Sequence, residues 1–159
     1  MNPTETVQKY YEALQRGEPL SPYFAEREDA VKFGVSERLA GYEAIADGLR
    51  EQTRTTEDWQ VESQNLRVAV PESEGDSMAS ASVAWFTDDV ALSWTELEGS
   101  RSAGADLEET RHAFDTRWSG VLERELGERR VPPRGGENDD GEEPRWRFVQ
   151  MHVSAPHNL

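Results

Sequence analysis

The sequence predicts an α+β domain in which helices cover one face of an antiparallel sheet, and three observations carry that prediction. Amphipathic segments of helical period occupy the first third of the chain, and from Asp58 onward the apolar period falls to two. The stretches between the later segments are rich in turn formers and charge, as hairpin connections require. Helices first and strands afterwards is the order of an α+β domain. At 159 residues, one domain over 1–159 is expected, because two separate cores would each be small for unaided folding.

The first helix carries a full start signal. Asn2 can cap, Pro3 suits the first helical position, and Glu5 stands three residues after Asn2. Val7, Tyr10, Tyr11 and Leu14 follow at helical spacing, and Gly17 with Pro19 ends the run. "LSPYFAE" reads as a short helical turn and "AVKFGVS" (30–36) as a strand. A second helix is expected from about Gly41 to Thr53 on the spacing of Tyr42, Ile45 and Leu49, although Gly48 inside it costs about 1 kcal/mol against Ala. Strands are expected at 59–70, at 78–94 with a candidate break at Asp88-Asp89, at 110–125 and at 145–154. The spacer before the last strand is acidic and rich in Gly and Pro, and reads as a mobile insertion at about 127–144.

Composition removes several function classes. The absence of cysteine excludes disulfides, thiolate zinc sites and cysteine nucleophiles. Acidic residues number 32 against 17 basic ones, a formal net charge of -15, which repels phosphate backbones and argues against nucleic acid as a partner. Lys9 and Lys32 are the only lysines; every other basic side chain is Arg. Acid excess with scarce Lys reads either as a protein of a halophile, whose salty cytoplasm shortens the Debye length to about 3 Å, or as an acidic mesophilic protein of a high-GC genome. No apolar run approaches a membrane span and the N-terminus lacks a secretory segment, so a cytoplasmic location is expected. His112, His152 and His157 lack clustered ligand spacing, and "PPRGGEND" lacks the ending of a phosphate loop, so neither metal nor cofactor is expected.

"VAWFTDD" (83–89), "RWSGVLERE" (117–125) and "WRFVQMHVSAP" (146–156) resemble the last three core strands of SnoaL-like proteins in the nuclear transport factor 2-like superfamily. The last segment also resembles the closing strand of the calmodulin-dependent kinase association domain. "GYEAIADGLREQ" (41–52) and Tyr10-Tyr11 fit the family's helices, so the resemblance runs from about residue 5 to 156. It implies a cystatin-like cone, with N-terminal helices packed on a strongly curved antiparallel sheet, commonly a homodimer through the outer sheet face and with a cavity at the open end. Members include cyclases, isomerases, dehydratases and pure binding modules, so function must come from the site. The longer loop before the final Trp and Ser119, where relatives often place Thr or Arg, are departures.

Strict alternation places Trp146, Phe148, Gln150 and His152 on one face of the last strand, with Val149, Met151 and Val153 on the other. On the strand before it, Asp115, Arg117, Ser119 and Val121 share a face, opposite Phe114, Trp118 and Leu122. Asp115 and Arg117 are diagonal neighbours; as a surface ion pair they would contribute about 0–1 kcal/mol. Pointing into a cavity, Asp115 would be the general base and Arg117 the anion stabiliser, with His152 as a further donor. Tyr10, Tyr11, Phe24, Phe33, Trp59, Trp85 and Trp94 are the aromatic candidates for pocket walls, with ordinary core packing as their alternative role; Ser119 and Gln150 are the polar ones. Three readings follow: a dimeric binding or scaffold domain with an apolar cavity for a small metabolite; a cofactor-free isomerase, cyclase or dehydratase; and a stress-related or assembly module whose dimer surface is its function.

Overall fold

The computed structural model describes residues 1–71, 81–97, 110–125 and 145–156. The expected insertion at 127–144, most of the other two spacers and His157 lie outside the described residues.

Helix α1 (Pro3–Arg16) begins where the start signal places it: Asn2 Oδ1 accepts from the Glu5 amide at 2.8 Å, and Gly17 closes the helix in the left-handed region at φ 69°. A single 3-10 turn follows at Ser21–Tyr23. Strands β1 (Val31–Phe33) and β2 (Arg38–Ala40) form a small antiparallel hairpin. β2 lacked a sequence signal, because three residues are too few to establish a period, and the single strand expected at 59–70 is divided by a break at 64–66. Helix α2 (Tyr42–Thr55) buries Ile45, Ala46 and Leu49. The glycine inside it has a packing reason, because a Cβ on Gly48 would lie 2.6 Å from the Leu39 side chain of β2.

Five further strands complete the sheet: β3 (Thr56–Ser63), β4 (Arg67–Ala69), β5 (Val83–Glu96), β6 (Thr110–Glu125) and β7 (Arg145–Ser154). Their order is β2-β1-β7-β6-β5-β3, with β4 also paired to β5. All pairs are antiparallel except β1 with β7, so one parallel seam joins the N-terminal hairpin to the long C-terminal strands. β5 runs unbroken through Asp88-Asp89.

Extra residues and a glycine bend this sheet. In β3 the register slips by one residue around Asp58, which takes a left-handed φ of 56°. In β7, Val121 pairs with Gln150 and Leu122 with Phe148, leaving Val149 as the inserted residue. Next to that bulge sits Gly120, where a Cβ would lie 2.4 Å from the Gln150 carbonyl oxygen and 2.8 Å from Phe86. Only a residue without a side chain lets the strands approach this closely.

The concave face carries the core. Ala84, Phe86, Val90 and Leu92 of β5, Trp118 and Leu122 of β6, and Trp146, Phe148, Met151 and Val153 of β7 are buried there, with Val7, Leu14, Ile45 and Leu49 of the helices in the same cluster. Tyr10 is its centre, with ring centroids 5.4 Å from Phe148, 6.0 Å from Phe24 and 6.1 Å from Trp118 in edge-to-face geometry.

The bulge corrects one expectation. Strict alternation would group Gln150 and His152 with Trp146 and Phe148, but the inserted Val149 exchanges the faces. Met151 and Val153 therefore continue the buried row, while His152 is exposed on the convex side beside Phe33, ring centroids 5.4 Å apart.

Candidate functional site

A cavity of about 260 Å³ lies between α1, α2, the 34–37 turn and the concave sheet. Its apolar walls come from Tyr10, Leu14, Leu92, Trp94, Trp118 and Val153. Trp59 extends the wall, stacked on Trp94 with ring centroids 4.6 Å apart and planes 16° from parallel. The β3 bulge makes this stack, since the extra residue at Asp58 lies directly before Trp59. The Trp59 indole Nε1 donates to Thr56 Oγ1 at 2.8 Å, which fixes the ring. Val35, 42 % exposed, also lines the cavity, which therefore opens to solvent at the turn.

Among the described residues, one cation, Lys32, enters this apolar space. Lys32 sits on β1 between Val31 and Phe33, pairs with Met151 of β7, and has a side chain only 6 % exposed. Its Nζ donates to Glu37 Oε1 at 3.2 Å. Glu37 reaches it by lying across Gly34, where a Cβ would be 2.9 Å from Glu37 Cγ. An ammonium has three donors, and Glu37 is its one hydrogen-bond partner among the described residues. Burial raises the pKa of the Tyr10 phenol above its ordinary value, and the Glu37 charge adds to the shift. Tyr10 thus feels the charge of the same Glu37 carboxylate that pairs with Lys32.

A second polar group lies deeper, in the sheet. Asp88, 4 % exposed, occupies the concave face between Phe86 and Val90. Its Oδ2 accepts from Tyr11 Oη at 2.8 Å and Ser63 Oγ at 2.6 Å, and its Oδ1 from the Asn65 amide at 2.9 Å. Burial first, then the Asp88 charge and hydrogen bond, push the Tyr11 phenol well above its usual pKa. With three donors already accepted, Asp88 is a structural anchor for α1 on the sheet.

The structure separates the candidate residues into three groups. Tyr10, Trp59 and Trp94 line the cavity; Tyr11 and Phe24 are core residues, Tyr11 held by Asp88. Phe33, Trp85, Ser119, Gln150 and His152 stand on the convex face, Trp85 at 45 % exposure. Asp115 and Arg117 are exposed on that face too, and form no ion pair with each other. The desolvation that would make Asp115 a general base in the cone is therefore absent, and the assignment of Asp115, Arg117 and His152 to the cavity is corrected. Alternation grouped Asp115 with Arg117 correctly, but could not say which face the helices cover.

Sequence reasoning missed Lys32, Glu37 and Asp88. The available signals were a lysine inside a strand of a chain that has one other lysine and otherwise uses Arg, and one acid in register with Ala84, Phe86, Val90 and Leu92. Among the described residues no group of three His, Asp or Glu side chains could hold a metal, and no helix is long and apolar enough to cross a membrane.

Known structures share this architecture. A nuclear transport factor 2-like superfamily protein from Salmonella enterica superposes with a TM-score of 0.62 at 14 % identity, covering 98 % of this chain and 89 % of the other. A candidate dehydratase of that family from Streptomyces avermitilis gives 0.64 at 15 %, covering 98 % and 94 %. A candidate calcium/calmodulin-dependent protein kinase type II association domain from Thiobacillus denitrificans gives 0.58 at 14 %, covering 98 % and 96 %. These identities speak to the fold. No curated protein matches the chain. The SnoaL-like domain model matches residues 4–128, most of the chain, and the protein accordingly belongs to the SnoaL-like family, on a nuclear transport factor 2-like fold.

Proposed function

We propose that this SnoaL-like domain binds a small, largely apolar metabolite in the cavity beneath α1 and α2, and works as a homodimer through its convex sheet face. The observation that carries the binding reading is the wall itself. Trp94, Trp118, Leu92 and Val153 present apolar surface to a space that opens to solvent beside Val35. The dimer reading rests on the row Ala69, Trp85, Val121, Gln150 and Val31 across the convex face. Titration with N-phenyl-1-naphthylamine, a neutral apolar fluorophore, tests the cavity. Saturable binding of one probe per chain, weakened about tenfold by Trp59→Ala in a folded variant, is expected. Unsaturable binding indifferent to that change refutes the reading. Sedimentation equilibrium tests the interface, with Trp85→Glu expected to yield monomers; a wild-type monomer removes the dimer.

A second reading, a cofactor-free isomerase, cyclase or dehydratase, is favoured by the Lys32–Glu37 pair. Glu37 replaces Asp115 as the carboxylate positioned for proton abstraction, and Lys32 is the donor that would steady an enolate oxygen. Deuterium incorporation next to the carbonyl of a panel of cyclic ketones, lost in Glu37→Gln, is the expected result. No exchange above the Glu37→Gln background rejects this chemistry.

A further inference from the structure

Lysine is rare in this protein, and the two copies stand in opposite surroundings. Lys9 has a side chain 52 % exposed on α1, beside Glu12. Lys32 has a side chain 6 % exposed and borders the cavity. Arg supplies every other basic side chain, and a guanidinium cannot serve as an amine nucleophile because it does not release its proton in proteins. Among the described residues, the cation of the cavity wall is therefore of the type that can do amine chemistry.

We propose that Lys32 captures carbonyl compounds covalently: its ε-amine condenses with an aldehyde or ketone that enters the cavity, forming an imine. The proposal rests on the cavity reading above and adds a reaction to it. Three features support it. Glu37 Oε1, 3.2 Å from Nζ, is placed to receive the ammonium proton. The Glu37 side chain is itself 40 % exposed, so it can exchange that proton with water. The walls of Leu92, Trp94, Trp118 and Val153 give an apolar carbonyl compound a surface to lie on beside the amine.

The step balances without any oxidant or reductant. Glu37 takes a proton from the Lys32 ammonium, and the free amine adds to the carbonyl carbon. A C–N bond forms, and a proton moves from nitrogen to the former carbonyl oxygen to give a carbinolamine. Glu37 then returns its proton to that oxygen, the C–O bond breaks, and water leaves. The product is a protonated imine whose positive charge remains beside the Glu37 carboxylate. Overall, one ammonium and one carbonyl give one iminium and one water.

The test uses the intact protein with 2-naphthaldehyde and sodium cyanoborohydride near neutral pH, followed by peptide mapping. Reductive labelling at Lys32 is expected to run about tenfold faster than at Lys9, although Lys9 is far more exposed. Lys32→Arg keeps the charge and should abolish that label; Glu37→Gln should slow it about tenfold. Labelling that follows exposure, with Lys9 and the N-terminus ahead of Lys32, overturns the proposal. If the fluorophore binds and Lys32 stays unlabelled, covalent capture fails and the binding reading stands; if the fluorophore does not bind either, both fall.

Discussion

Replacing Asp88 tests whether the buried carboxylate holds α1 on the sheet. Asp88→Ala leaves three donors without their acceptor: Tyr11 Oη, Ser63 Oγ and the Asn65 amide, formerly at 2.8, 2.6 and 2.9 Å. An unsatisfied buried donor costs about 1–3 kcal/mol. Tyr11 is 6 % exposed and bears that in full, whereas the groups on Ser63 and Asn65 are only partly buried and recover some hydration. The expected loss is about 3–6 kcal/mol, a large share of the roughly 5–15 kcal/mol typical of a domain. Asp88→Asn should cost less, about 1–3 kcal/mol, because the amide oxygen can still serve Tyr11 and Ser63 while its NH₂ faces the Asn65 N–H. Tyr11→Phe removes one donor and should cost about 1 kcal/mol, and its loss should not add fully to that of Asp88→Ala, since both delete the same hydrogen bond. Urea unfolding followed by tryptophan fluorescence reads all four proteins; the Trp118 ring lies 5.3 Å from Tyr11 and reports on this region. An Asp88→Ala protein within about 1 kcal/mol of the parent, or an Asn variant weaker than the Ala variant, would refute the argument.

Gly120→Ala should destabilise by about 1–3 kcal/mol, because the added methyl meets the Gln150 carbonyl and the Phe86 ring; an unchanged urea midpoint would show that the sheet yields there. The raised phenol pKa values of Tyr10 and Tyr11 set an alkaline limit. The unfolded chain releases these protons near pH 10 and the folded one holds them, so stability is intact below about pH 10 and falls as pH rises beyond it. Absorbance at alkaline pH should show these two phenolates forming only together with loss of the near-ultraviolet dichroism; reversible ionisation of all four tyrosines in a folded protein would contradict this. With a net charge of -15, the melting temperature should rise markedly between low and molar KCl as self-repulsion is screened, and a flat response would remove the halophile expectation.

Helix starts and strand locations were legible because their signals are local. Asn2, Pro3 and Glu5 specify the start of α1 through the backbone groups they can satisfy, and Gly17 ends it by tolerating positive φ. The long strands β6 and β7 coincide with the segments 110–125 and 145–154, where alternation persists long enough to dominate. The three-residue β2 and the parallel seam between β1 and β7 carried no such signal, since pairing partners lie far apart in the chain. At the site, aromatic content pointed to Tyr10, Trp59 and Trp94, but the same criterion also nominated Trp85 and Phe33 on the other side of the sheet.

By itself, then, the sequence determined where the two helices and the long strands lie, that they build an α+β domain, and which residues share a face on an undisturbed strand. Only the tertiary structure decided which face is covered. A period of two is symmetric between the two sides, and one inserted residue such as Val149 reverses every side chain after it. That reversal sends His152 outward, while packing of the hairpin and helices over the sheet encloses Lys32 beside Glu37 and buries Asp88 under Tyr11. The chemistry of the cavity therefore follows from strand pairing at a distance, which no local pattern encodes.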